Sequence, residues 1–210
     1  MTVTKIEAYG GKSKFSKIFA DGEYLISLPP ELIERFKIEV GAQIDEAEIK
    51  KLSEAALVRR ARERLLYSLD RRLHSEKELR EKLRQNYPLH IIDAAIDELS
   101  RLGLVNDEAF ARAFAEQRLH INKKGPYALV SELVLKGVDK MLARRVVDEL
   151  TCESDDEYTA ALAVAEKYKK DLDTPKGKQR LYGALARRGF SYSIVKKVMN
   201  EMAKVTYYED

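Results

Sequence analysis

A chain of 210 residues with 45% apolar and 35% charged side chains, rich in Leu, Ala, Glu, Lys and Arg, is long enough for one compact domain or a string of small ones and reads as mostly helical. Its single cysteine, Cys152, excludes an intramolecular disulfide framework and a cysteine zinc site, and the acidic run around it argues against a reactive thiolate. The net charge of +3 is unevenly spread: residues 1–50 carry seven basic and nine acidic side chains, whereas residues 51–73 carry seven basic and three acidic ones, a clustering that points to an anionic partner.

The N-terminal stretch differs from everything after it. Val3 to Tyr9, Phe15 to Phe19 and Tyr24 to Leu28 are short, β-rich and partly alternating, separated by Gly10-Gly11 and Asp21-Gly22. Asp-Gly between such runs predicts a hairpin, so two or three antiparallel strands are expected. Gly10-Gly11-Lys12-Ser13 resembles the tail of a phosphate-binding loop, but Ile6 stands where that motif requires glycine. Pro29-Pro30 introduces a short helix over Glu31 to Phe36, and Gly41 turns the chain again. From Asp45 a long helix is predicted to about Arg72, with Val58, Ala61, Leu65, Leu69 and Leu73 as its inward stripe.

The remainder repeats itself. A forward shift of 52 carries Lys124-Gly125 onto Lys176-Gly177, Gly137 onto Gly189 and Asp148-Glu149-Leu150 onto Asn200-Glu201-Met202. A backward shift of 51 carries Gly137 onto Asn86 and the closing triplet onto Asp97-Glu98-Leu99, and the apolar columns Ile91/Leu142/Ile194 and Ala95/Val146/Val198 agree. Such periodicity means one structural unit used three times. In the second and third, one helix carries paired leucines four apart (Leu129 and Leu133; Leu181 and Leu185), and in each unit a sharp turn follows. A residue with positive φ is expected at Gly137, Gly189 and Asn86, then an apolar residue (Tyr87, Val138, Phe190) facing the next helix. Helices are predicted over Ser75 to Asn86 and Pro88 to Leu102; from Asp107, then Pro126 to Lys136 and Asp139 to Leu150; and over Glu157 to Lys170, Lys178 to Arg188 and Ser191 to Lys204. Thr151 to Asp156 reads as a joint, Asp171 to Lys176 as a loop and the Tyr207-Tyr208 end as frayed. The resulting division is 1–44, a β-rich extension; 45–105, 106–152 and 153–210, three helical units.

Catalytic chemistry is not evident. His74, His90 and His120 match no metal-ligand spacing and read as surface or turn residues, and no nucleophile-base pairing stands out, so neither an enzyme nor a cofactor is expected. Four basic groups are candidates for a binding surface: Arg60, Arg64, Arg71 and Arg72; Lys123-Lys124; Arg144-Arg145 with their counterparts Lys196-Lys197; and Arg187-Arg188. Taken singly, each reads first as a solvated helix face or as charge complementing a helix C-terminus. The match of Arg144-Arg145 to Lys196-Lys197 favours a charged face over the later units, while Asp93-Ala94 breaks it in the first. Aromatic residues for base stacking are few: Phe110 and Phe114 are spaced as core, and Tyr127, Tyr182 and Tyr192 are the surface candidates.

Several stretches resemble the RecX regulatory proteins: Leu65-Leu66, Arg72, Ser75-Glu76 and Glu78-Leu79; Gly103-Leu104-Val105-Asn106-Asp107 with Phe110-Ala111; Gly125, Glu132-Leu133 and Lys136-Gly137-Val138; and Leu185-Ala186-Arg187-Arg188-Gly189-Phe190-Ser191. Asn106 stands where that family usually has Asp, and the first unit is one residue shorter between Leu83 and Leu99 than the others. The resemblance implies three tandem three-helix units in an elongated curved molecule. It also implies a protein that binds the RecA recombinase filament and its DNA and restrains strand exchange and coupled ATP hydrolysis. With no run of 18 apolar residues and no apolar signal segment at the N-terminus, a cytoplasmic chain away from membranes is expected, and a monomer. The competing reading of the basic groups is a free-standing nucleic-acid-binding module.

Overall fold

In the computed structural model, residues 1–8, 15–152 and 155–206 are described. The Gly10–Ser13 segment, the Glu153 part of the expected joint, the Cys152 side chain and the Tyr207-Tyr208 end lie outside that description. The chain is mostly helical, with a three-stranded antiparallel sheet at its N-terminus.

The strands β1 (Val3–Ala8), β2 (Ser16–Ala20) and β3 (Glu23–Leu28) pair in chain order. Asp21 and Gly22 both adopt positive φ, as the mirror-image turn between twisted strands requires. Alternate residues of the central strand, Ser16, Ile18 and Ala20, are buried. One face packs Val3, Ile18 and Leu28 against Leu32 of α1 (Pro30–Arg35), against Ile38 and Ile44, and against Leu52 and Ala56 of α2 (Glu46–Leu69).

Asp45 starts α2 with a capping box, accepting from Glu48 N at 2.7 Å while Glu48 accepts from Asp45 N at 3.1 Å. Asp45→Ala is therefore expected to lower stability by about 1 kcal/mol, read as a shifted urea midpoint. The buried side of α2 is Leu52, Ala56, Ala61, Leu65 and Ser68, so Ala61 and Leu65 of the predicted stripe face inward while its other three members do not. Val58 and Leu69 are half-buried, and Leu73 lies beyond the helix end and is exposed. The helix stops at Leu69, so the 3.6-residue phase no longer carries Leu73 inward.

The helices that follow are α3 (Glu76–Leu83), α4 (Leu89–Arg101), α5 (Asp107–His120), α6 (Pro126–Leu135), α7 (Lys140–Cys152), α8 (Asp156–Ala165), α9 (Pro175–Arg187) and α10 (Tyr192–Thr206). A 3-10 helix, Glu166–Asp171, extends α8, and α9 begins at Pro175 within the stretch expected to be a loop. Three three-helix repeats result: the end of α2 with α3 and α4; α5, α6 and α7; α8, α9 and α10. By contact the chain forms two compact units, Met1–Arg72 with Arg80–Leu104, and Leu73–Leu79 with Val105–Asp210. The core of the second unit includes Phe110, Leu119, Leu129, Leu133, Val146, Ala161, Leu181, Leu185, Phe190 and Val198. Phe114 is only half-buried, stacked on Phe110.

Gly137 and Gly189 have φ of +94° and +78°. In each case the following amide reaches back five residues, Val138 N to Leu133 O at 3.1 Å and Phe190 N to Leu185 O at 3.3 Å, satisfying carbonyls at the helix end. Asn86 departs from this column: its φ is not positive, and Arg84–Tyr87 turns with Asn86 N and Tyr87 N both bonded to Leu83 O before Pro88 caps α4. The chain there is one residue shorter between Leu83 and Leu99, and Tyr87 N reaches back only four residues. The Gly137 turn packs on the start of α3, where Ser75 Oγ donates to Lys136 O at 2.6 Å and Lys77 Nζ to Leu135 O at 3.1 Å. The Gly189 turn packs on the start of α6, where Gly125 N donates to Arg188 O at 2.8 Å and Tyr127 N to Gly189 O at 3.0 Å. A Cβ on Gly137 would run into the Lys77 side chain, and one on Gly189 into the Ala128 backbone. Arg84, Gln85 and Asn86 are exposed, so no neighbour demands glycine there.

Candidate partner-binding surface

The basic residues singled out from the sequence fall into three environments. On α2, Arg60 Cζ lies 5.4 Å from the Phe15 ring, and Arg71, just past the helix, lies 5.8 Å from the Tyr67 ring. Arg64 and Arg72 are exposed. Their neighbours are internally paired: Arg59 with Glu31 at 3.0 Å and Glu63 at 3.1 Å, and Arg62 with Glu98 at 3.3 Å. Asp93, which breaks the charge pattern in the first repeat, pairs with Arg80.

In the second unit, packing of the Gly189 turn brings Lys123, Lys124 and Arg188 together. Arg188 Nη1 donates to Asn122 O at 2.8 Å and to Lys123 O at 3.4 Å. Glu132 neutralises this cluster in part, since Lys124 Nζ sits 3.1 Å and Arg118 Nε 2.9 Å from its carboxylate. Arg187, the adjacent residue, is exposed.

The two repeat-matched pairs share a division of labour. Arg145 donates through both terminal nitrogens to Glu108, at 2.9 and 3.2 Å, and approaches Glu149 at 3.5 Å. Hydrogen bonding and charge from Arg145 hold the Glu108 carboxyl below the usual range. Lys197 lies 4.0 Å from the Tyr158 ring centroid, over its face, and the Tyr158 hydroxyl bonds Glu201. The second cation of each pair is thus turned onto the first helix of its own repeat. Arg144 and Lys196 are exposed and make no ion pair among the described residues.

A second acidic residue beside Glu108 behaves oppositely. Asp107 accepts from Glu76 N at 2.8 Å, yet burial outweighs that bond and pushes its carboxyl above the usual range. A raised folded value means that its contribution to stability is full below the ordinary aspartate range and is lost as pH rises through the folded value. Asp107→Asn, which keeps the acceptor, should therefore gain on the native protein as pH rises through that window, compared in paired thermal melts.

Sequence reasoning passed over one basic group. The 3-10 helix brings Lys167, Lys169 and Lys170 beside Lys176, Lys178 and Arg180 at the start of α9, with Arg180 3.8 Å from Asp171. Two lysine runs flanking a supposed loop were the available signal. Tyr127, Tyr182 and Tyr192 are exposed, as expected. His74, expected as a surface or turn residue, lies in the connection before α3 but is buried, because that segment sits under the Gly137 turn.

No group of three His, Cys, Asp or Glu side chains is placed to hold a metal among the described residues, and no helix there is long and apolar enough to cross a membrane. Asn106, the departure from the family pattern, caps α5 by accepting from Glu108 N and Ala109 N, both at 3.0 Å.

These features define a class: a tandem array of three-helix repeats that presents charge on its helices. RecX domain profiles match each repeat, the first three-helix domain over residues 61–99, the second over 106–147 and the third over 155–199. The regulatory protein RecX of Clostridioides difficile (strain 630) is 30% identical over 99% of this chain and 98% of its own. That of Bacillus velezensis (strain DSM 23117 / BGSC 10A6 / LMG 26770 / FZB42) is 30% identical over 99% of this chain and 78% of its own. A crystal structure of a regulatory protein RecX superposes with a TM-score of 0.81 at 23% identity, covering 95% of this chain and 98% of that one, which shows the shared fold. The chain belongs to the RecX family of regulatory proteins.

Proposed function

We propose that this protein is a non-enzymatic, cytoplasmic, monomeric regulator that binds the RecA recombinase and its DNA filament and inhibits strand exchange and the coupled ATP hydrolysis. The observation that carries the reading is the RecX match in all three repeats. The exposed cations Arg144 and Lys196, at the same position of successive repeats, are its chemical support, because they are free to meet an acidic recombinase surface or filament phosphates. The deciding measurement is recombinase ATPase on single-stranded DNA with this protein titrated in. Suppression is expected, and an unchanged rate at several-fold excess over recombinase overturns the reading.

The internal pairings also rank the residues. Replacing Arg144 and Lys196 together by Ala should raise the half-inhibitory concentration about tenfold, on the order of 1.4 kcal/mol. Replacing Arg145 and Lys197, already engaged by Glu108 and Tyr158, should raise it less. The competing reading, a free-standing nucleic-acid-binding module, draws on the same exposed cations. It requires tight, salt-sensitive DNA binding without recombinase, and fails if the filament is bound tightly while DNA alone is bound weakly.

A further inference from the structure

The middle helices of the first two repeats have their starts covered by the turn of the next repeat: α3 by the Gly137 turn, α6 by the Gly189 turn. The start of α9 is not covered in this way. Thr174, Pro175 and Lys176 are exposed, and Thr174 caps its own helix, accepting from Gly177 N at 3.0 Å. The 3-10 helix packs there instead, anchored by buried Leu172, with Asp171 O occupying the space that a Gly177 side chain would need.

This close approach concentrates charge. Residues 166–180 hold six basic side chains (Lys167, Lys169, Lys170, Lys176, Lys178 and Arg180) against Glu166, Asp171 and Asp173, a surplus equal to the +3 of the whole chain. Lys167, Lys170, Lys176 and Lys178 are exposed and make no ion pair among the described residues, so their charge is not neutralised internally. Tyr182, 47% exposed, follows Lys178 by one helical turn on the same side of α9.

We propose that this lysine-rich face of the third repeat, Lys167–Lys170 with Lys176–Arg180, is a contact surface for a phosphodiester backbone. The chemistry favours nucleic acid over protein. Lysine is depleted in protein interfaces, whose affinity rests on buried aromatic and arginine anchors, whereas several exposed point charges on long stems suit phosphates. The inference rests on the DNA-binding part of the function proposed above.

The test is equilibrium binding of a labelled poly-dT strand over a range of salt, for the native protein and for the variant Lys167→Gln, Lys169→Gln, Lys170→Gln, Lys176→Gln and Lys178→Gln. The native protein should bind with a steep salt dependence, and the variant should lose about 3 units of the log–log slope. Arg144→Gln with Lys196→Gln is the control and should change that slope by less. An unchanged slope in the lysine variant overturns the inference and leaves the regulator reading standing. Lost affinity for recombinase filament with an unchanged DNA slope also overturns it and assigns the face to acidic protein. A changed slope in a protein that never suppresses recombinase ATPase supports the inference and sinks the regulator reading alone.

Discussion

Gly189→Ala is expected to destabilise the protein by about 3 kcal/mol, from backbone strain and overpacking together. Its φ of +78° disfavours any side chain, and the added Cβ would meet the backbone of Ala128, which cannot swing aside. Relief would require the turn to withdraw from the start of α6, giving up the bonds from Gly125 N to Arg188 O and from Tyr127 N to Gly189 O. Two other glycines separate the contributions. Gly103, at φ +72° with nothing within 4 Å of an added methyl, should lose about 1 kcal/mol as Ala, from conformation alone. Gly125 has an ordinary φ of −85° but faces the Gly189 backbone, so its Ala variant reports crowding alone. Urea titrations followed by far-ultraviolet circular dichroism compare the three. A Gly189 variant no less stable than the Gly103 variant would mean that the turn does not bear on α6. Gly137→Val combines strain with a clash against the flexible Lys77 side chain, which can yield in part, and should cost at least about 1 kcal/mol.

Ser75→Ala is expected to cost about 2 kcal/mol, of which about 1 is the lost helix cap and the rest the carbonyl left without a donor. The Ser75 side chain is fully buried and works twice: its hydroxyl donates to Lys136 O at 2.6 Å and accepts from Glu78 N at 3.2 Å. Thr174 occupies the equivalent place before α9, is exposed and caps only its own helix, so Thr174→Ala should cost about 1 kcal/mol at most. Equal losses in the two variants, measured by the same titrations, would show that the bond to Lys136 O contributes nothing.

Much of the fold is legible in the sequence because its determinants are local. The Asp45 cap, the Asp21-Gly22 hairpin, the leucine pairs and the 52-residue recurrence of the glycine turn act within a few residues of where they are written. The departures are equally instructive. Asn86 aligns with two glycines yet does not share their φ, because its turn is one residue shorter and Tyr87 N reaches back only four residues to Leu83 O. Leu73 fits the apolar phase of α2 but lies beyond the helix end.

The candidate surface is less legible than the fold. Arg144 and Arg145 are adjacent, chemically identical and both exposed, yet Glu108, thirty-seven residues from Arg145, engages Arg145 and not Arg144. The lysines on either side of Leu172 look like two unrelated runs along the chain, and the 3-10 helix draws them together. By itself, then, the sequence determined the helical class, the threefold recurrence and the family, because periodicity and turn chemistry depend on neighbours along the chain. Only the tertiary structure decided which glycines are indispensable and which cations face solvent without an internal partner, because both depend on what a distant segment places within a few ångströms.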